Sequence, residues 1–177
     1  SRKIVGAAPV TDIGRSLKRN QPIVVIDAKT GKRQLLWSEL NMVAKNPRKR
    51  TLLVHPGIGW REGHRYIVAL RNLRRSNGST IKAPRAFRSA VRNRPGMRDI
   101  LARLGKAGVH RRGLYMAWDF TIATRQGLTK RLLSIRDRSF AALGDRNLRD
   151  LKVAGAAPKF KVTGARDVPG IGRRVTG

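Results

Sequence analysis

The side chains that could perform acid–base or metal chemistry are few in this chain. Glu62 and His64 lie two residues apart in an extended segment, so they would share one face and could form an acid–base pair. Any two residues at this spacing share a face, so the spacing alone does not indicate catalysis. The three histidines, His55, His64 and His110, are far apart and form no metal-ligand spacing. We therefore expect no metal site, and histidines at the surface or at strand ends.

Asp119 is the best single candidate for a special residue, because it lies between Trp118 and Phe120 in an otherwise apolar segment. A carboxylate in such a place needs a partner. The favoured interpretation is a structural carboxylate bonded to an arginine or to backbone donors, since a reaction would require a second acid or a nucleophile nearby. Trp118 and Asp119 are therefore assigned structural roles.

Motifs for hydrolysis and phosphate binding are absent or incomplete. The sequence has no Gly-x-Ser-x-Gly pentapeptide, which presents the nucleophile of many serine hydrolases. The segment from Gly170 to Arg174 contains two glycines but lacks the Gly-Lys-Ser/Thr ending of a P-loop. Cysteine is also absent, which excludes disulfides, thiolate zinc sites and a cysteine nucleophile. We expect no enzyme activity and no cofactor.

The elements that must carry these residues follow from hydrophobic patterns and turn signals. Apolar or β-branched runs predict strands over 22–27, 34–37, 51–54, 66–70, 114–122, 151–153 and 160–163. Apolar periodicity predicts helices over 84–92, 95–107 and 126–143. An antiparallel sheet with helices is the simplest arrangement. No stretch approaches the ~18 apolar residues of a membrane span, so none is expected.

Two of the predicted helices have an apolar stripe. The helix over 95–107 places Met97, Ile100, Leu101 and Leu104 on one face, and Asp99 and Arg103 have the spacing of an ion pair. The stripe of the helix over 126–143 consists of Leu128, Leu132, Ile135 and Leu143, widened by Leu133 and Phe140. We expect both stripes to be buried, the second one against the sheet.

The charge of the chain is its most unusual property. Forty Lys and Arg against ten Asp and Glu give a formal charge of +30. The longest basic run is only Arg48-Lys49-Arg50, so the charge lies on a folded surface rather than in a tail. Such an excess indicates a polyanionic partner such as RNA, DNA or heparin. The candidate polyanion-binding residues are Arg48, Lys49, Arg50, Arg74, Arg75, Arg125, Lys130, Arg131 and Arg138.

Aromatic residues limit the type of nucleic-acid binding. They form only 5% of the chain, and no zinc-finger or RNP-like signature occurs. Trp37, Trp60 and Phe87 are candidates for stacking on bases, although Trp60 is expected to cover the end of the folded domain instead. We therefore expect phosphate attraction with little sequence preference.

One tyrosine has a more specific context. Tyr66 follows Gly63-His64-Arg65 at the head of an apolar strand, which is the spacing of the tyrosine corner in immunoglobulin-like sandwiches. There the hydroxyl bonds to upstream backbone. We expect a buried Tyr66 ring with its hydroxyl on the preceding turn. The alternative is an ordinary tyrosine at a strand start.

The chain also resembles known families. The segment 62–70 with Asn77-Gly78 looks like bacterial Ig-like domains. The segments 22–27, 30–31, 37–40, 115–121, 135–137 and 140–145 are similar to the N-terminal region of large secreted actinobacterial hydrolase-like proteins. In that family the matching surface is rich in acids where this chain has Lys or Arg. This departure indicates selection, or deliberate engineering, for a cationic surface.

The resemblance implies a fold and a role. The expected fold is α+β, an Ig-like antiparallel β-sandwich with two or three helices inserted or packed on it. Residues 1–163 would form a single domain, and 164–177 a linker or the start of a following element. The role would be a secreted, non-catalytic structural or adhesive module. The alternative, favoured by charge, is a basic nucleic-acid-binding or polyanion-binding protein of ribosomal type or with an engineered supercharged surface.

Overall fold

A computed structural model describes residues 4–46, 49–75, 77–156 and 158–177. Within these residues the chain forms four helices and seven strands, all paired antiparallel in small sheets. The predicted α+β class is confirmed. The chain divides into two compact units, Ser1–Thr124 and Arg125–Gly177, and the division falls within the range 1–163 predicted as one domain.

Ten elements lie in the two units after a kinked 3-10 helix at Val10–Leu17. The strands of the first unit are β1 (Ile23–Asp27), β2 (Leu36–Leu40), β3 (Leu52–Pro56), β4 (Arg65–Arg71) and β5 (Leu114–Thr121). Its helices are α1 (Arg85–Asn93) and α2 (Met97–Lys106). The second unit contains helix α3 (Arg125–Ala142) and strands β6 (Gly164–Val168) and β7 (Gly172–Thr176).

The first unit is organised around a three-stranded sheet with the order β1-β4-β5. The first four residues of β1 are β-branched and apolar, which suits a strand that is buried on both faces. Val24 and Ile26 contribute to a core cluster that includes residues of α1 and α2, whereas Ile23 and Val25 contribute to a second cluster with Leu36 of β2. The sheet therefore has an apolar core on each face.

Helices α1 and α2 contribute to one of these cores, and for α2 the sequence predicted this burial. Met97, Ile100 and Leu104 of α2 are buried, and so is Phe87 of α1. The two helices meet at a sharp turn where Gly96 has a φ of +84°, a conformation that disfavours residues with a Cβ atom. The predicted 95–107 helix and its buried stripe are confirmed.

The second unit differs from its prediction in two places. The apolar stripe of α3 is not buried: Leu128 is 71% and Leu132 70% exposed. Residues 151–153 and 160–163 form no strands, and Leu151, Val153 and Phe160 are largely exposed. Residues 164–177, expected to be a linker or the start of a following element, form the β6–β7 hairpin.

Candidate polyanion-binding surface

The carboxylates of the first unit already have internal partners. Arg65 on β4 binds Asp119 of β5 with its Nε at 2.7 Å and Asp99 of α2 with its Nη1 at 2.6 Å. Asp99 also accepts a hydrogen bond from Arg103 at 2.8 Å, as its spacing predicted. The Arg65 hydrogen bond lowers the pKa of Asp99, and Arg103 adds to this effect. The Asp119 carboxylate thus binds an arginine of the neighbouring strand, in keeping with a structural role, and the same arginine joins the sheet to α2 through Asp99.

His64, which one interpretation paired with Glu62, binds the carboxylate of Asp27. Its Nδ1 lies 2.7 Å from Oδ2 of the buried Asp27 and must donate, because an ionised carboxylate can only accept. Burial raises the pKa of Asp27, but hydrogen bonds from His64 and from the N–H groups of Thr30 and Lys29 outweigh it and lower the pKa. The other oxygen of Asp27 closes the turn after β1. The pair therefore helps to fix the turn after β1, and its 37-residue separation hid it from sequence analysis.

Arg71 is buried without an ion pair among the described residues. Its Nε donates to the carbonyl of Gln21 at 2.9 Å, and its Nη2 donates to the carbonyl of Arg19. Arg33 donates to the neighbouring carbonyl of Lys18 at 2.7 Å. Burial lowers the pKa of Arg71, and Arg33 and Arg19 lower it further. The guanidinium groups of Arg71 and Arg33 thus bind carbonyls of the segment 18–21, which also contains Arg19.

Acidic side chains are engaged in internal contacts along the whole described chain. Asp27, Glu39, Asp99, Asp119, Asp137 and Asp167 lie within ion-pair distance of Arg or His. Asp12, Asp145 and Asp150 accept hydrogen bonds from backbone N–H groups. With ten acids against forty Lys and Arg, the remaining positive charge must be neutralised from outside the chain.

Four of the predicted basic residues of the first unit lie in the part of the chain that the structure describes, and all but Arg50 are exposed. Lys49 is exposed, and Arg50 is half-buried. Arg74 and Arg75 are exposed at the turn after β4, where Arg74 donates to the carbonyl of Gly78 at 3.0 Å. Arg48 lies outside the described residues.

The predicted basic residues of the second unit lie along α3. Arg125, Lys130, Arg131 and Arg138 are all exposed. The last three border a shallow cleft of about 540 Å³ together with Ile135. The apolar stripe of this helix was expected to be buried, but Leu128, Leu132 and Ile135 are exposed too. Cations and apolar side chains therefore share the solvent-facing surface of this helix.

Sequence analysis missed a second basic groove in this unit. It has a volume of about 660 Å³ and lies between the end of α3 and the following loop. Arg136, Arg138, Arg146 and Arg149 line it. The loop folds around Asp145, whose carboxylate accepts from the N–H groups of Asn147 and Ala154, both at 3.2 Å. The only sequence signal was the density of Arg around the glycine at 144.

The candidate aromatic residues are mostly engaged within the first unit. Trp37 stacks on His55 with ring centroids 3.8 Å apart, and Trp60 packs on Tyr66 and Phe120 at 5.1 Å. Phe87 is 8% exposed. Trp118 is half-buried and packs against the second core, in keeping with a structural role.

Tyr66 has the predicted local geometry. Its ring is 2% exposed, and its hydroxyl accepts a hydrogen bond from the backbone N–H of Arg61 at 2.9 Å. The intervening turn passes through Gly63, whose φ of +73° suits glycine. This contact between a strand side chain and the backbone five residues upstream is confirmed.

The searches and comparisons give no relative. Among the described residues no group of His, Cys, Asp and Glu is arranged to hold a metal ion. None of the helices in that part of the chain is long and apolar enough to cross a membrane. No family model, curated protein or solved structure matches the chain.

Proposed function

We propose that this chain is a non-catalytic module that binds polyanions such as RNA, DNA and heparin with little sequence preference. One observation carries the proposal: the few carboxylates are occupied by internal contacts, while Lys and Arg cover the surfaces of both units. A surface of this kind attracts phosphates and sulfates and releases their counterions.

The decisive measurement is the dependence of affinity on salt. Log affinity for a labelled RNA should fall linearly with log salt concentration, with a slope of roughly 0.7 to 0.9 per phosphate contacted. Shuffled RNA sequences and heparin should compete. An affinity that does not change with salt, or a strong preference for one sequence, would contradict the proposal.

Charge reversal identifies which surface binds. Changing Arg125, Lys130, Arg131 and Arg138 to Glu should flatten the salt slope, because it removes phosphate contacts along α3. The matched control changes Lys29, Lys32, Lys82 and Lys106, which are exposed in the first unit, to Glu. Both variants change the formal charge equally. If affinity for RNA falls more in the control than in the α3 variant, the binding surface lies on the first unit rather than on α3.

The absence of turnover is a separate expectation. The purified chain should not hydrolyse ester, phosphate or glycoside substrates, since Asp119 and His64 serve structural contacts. Assays on generic substrates of each class test this. Activity that survives repurification and disappears in Asp119→Asn or His64→Gln would show that these residues do more than hold the fold.

A second candidate function keeps the sequence resemblance. We infer that the first unit derives from an Ig-like sandwich module of secreted hydrolase-like proteins, with a structural or adhesive role. The contact between Tyr66 and the backbone of Arg61 favours this, because it is the contact of a tyrosine corner. An experimental structure tests it: the strands of the two sheets of the first unit should pack face to face.

A further inference from the structure

The first unit contains a cleft that its general surface charge does not explain. It has a volume of about 340 Å³, close to the lower end of the range for small-ligand sites. Its lining comes from one side of α1, from the segment before that helix, from the loop before β5 and from the first residue of β5. The lining residues are Ala83, Phe87, Arg88, Val91, Arg92, Arg111 and Leu114.

The walls of the cleft are apolar. Phe87 and Val91 lie four residues apart on α1 and therefore on the same face of the helix. Leu114, the first residue of β5, and Ala83 complete these walls. Phe87 and Leu114 also belong to the core of the unit, so the walls rest on well-packed structure.

The other lining residues are all arginines. Arg88 and Arg92 are also four residues apart on α1, and Arg111 precedes β5. Arg88 is held in place by a hydrogen bond from its Nη1 to the carbonyl of Ala83 at 2.6 Å. No acidic residue is among the lining residues in the described chain. The cleft thus combines an apolar interior with guanidinium groups suited to a phosphate.

We propose that this cleft holds one unpaired nucleotide of a single-stranded nucleic acid. The base packs against Val91 and the small exposed parts of Phe87 and Leu114, and Arg88, Arg92 and Arg111 bind the adjacent phosphates. Packing on apolar side chains accepts any base, and no amide or carboxylate lines the cleft. This inference rests on the proposed polyanion function and adds a preference for single strands.

The first test needs no variant. A fluorescent ten-residue oligothymidine is compared with an abasic strand of the same length and charge by fluorescence anisotropy. If the base enters the cleft, oligothymidine binds several-fold more tightly, because its base makes apolar contacts that the abasic strand lacks. Equal affinities would overturn the cleft proposal and leave the polyanion function standing. No binding of either strand at low salt would overturn both.

A variant then locates the preference. Val91→Trp fills the cleft and should reduce the preference for oligothymidine over the abasic strand to less than twofold. Ala86→Trp is the matched control, because it adds the same side chain at an exposed position of α1 outside the cleft. An unchanged preference in folded Val91→Trp would show that the base binds elsewhere.

A second pair of variants covers the case in which Val91→Trp does not fold. Arg92→Ala should weaken oligothymidine binding several-fold, whereas Arg85→Ala, which removes an exposed arginine of the same helix outside the cleft, should weaken it far less. Circular dichroism checks that each variant is folded. Equal losses in the two would attribute the binding to general charge and overturn the proposal.

Discussion

Helices α2 and α3 have similar apolar spacing but opposite environments. In α2, Ile100 and Leu104 are buried in the core of the first unit. In α3, Leu128 and Leu132 are mostly exposed, and no residue of the helix is buried. An apolar stripe therefore becomes part of a core only where the rest of the chain supplies a matching surface.

The two units differ in the same way. The first contains two apolar clusters on the faces of its central sheet. In the second unit, as far as the structure describes it, Asp145 is the only buried residue. Its loop is held by hydrogen bonds to that carboxylate rather than by apolar packing. The first unit should accordingly dominate the stability of the chain.

The largest expected effect separates the two helices directly. Leu104→Ala should lower the free energy of unfolding by about 2–5 kcal/mol, because Leu104 is 0% exposed and its removal leaves a cavity. Leu132→Ala, at 70% exposure, should change it by less than about 0.5 kcal/mol. Urea unfolding followed by circular dichroism measures both. Equal losses would mean that the stripe of α3 is buried in solution.

A smaller effect is expected at Tyr66. Tyr66→Phe removes the hydroxyl that accepts the N–H of Arg61 and should cost about 1 kcal/mol, as loss of a typical hydrogen bond does. Tyr115→Phe is the matched control, since no hydrogen bond of its hydroxyl is found in the described chain and its ring is half-buried. A loss at Tyr115 as large as at Tyr66 would count against a special role for the corner contact.

The first unit could largely be predicted from sequence because its patterns were local and strong. The β-branched run of β1 is typical of a strand, and the stripe of α2 is typical of a helix. Glycines near both elements marked the turns. The Asp99–Arg103 pair followed from helical spacing alone. These features involve residues that are close in the sequence, or that have one dominant periodicity.

The remaining features depend on contacts that no local pattern encodes. The His64–Asp27 pair and the double ion pair of Arg65 join residues 34 to 54 positions apart. The β6–β7 hairpin has Arg and Asp where strands usually have apolar alternation, and its cross-strand Arg173–Asp167 ion pair became visible only when the strands were paired. The basic grooves likewise depend on the folding of loops around them.

The smallest expected effect is a difference in acid sensitivity between α2 and α3. The Arg65 hydrogen bond lowers the pKa of Asp99 below its ordinary value of 3.8, so folding favours the ionised form. The stabilisation is complete above the unfolded value and is lost as the pH falls through the lower folded value. Because Asp99 is partly exposed, we expect Asp99→Asn to cost at most about 1 kcal/mol at neutral pH.

The matched control is Asp137→Asn in α3, whose exposed carboxylate pairs only with the adjacent Arg136 among the contacts described, at 2.6 Å. Urea unfolding at pH 7 and at pH 2.5 measures both variants. The difference in free energy of unfolding between Asp99→Asn and the parent chain should become smaller at pH 2.5, because protonation removes the same charge that the substitution removes. The Asp137→Asn curve should follow the parent at both pH values. If this difference in free energy of unfolding is the same at both pH values, the effect of Asp99→Asn comes from packing rather than from the charge that Arg65 binds.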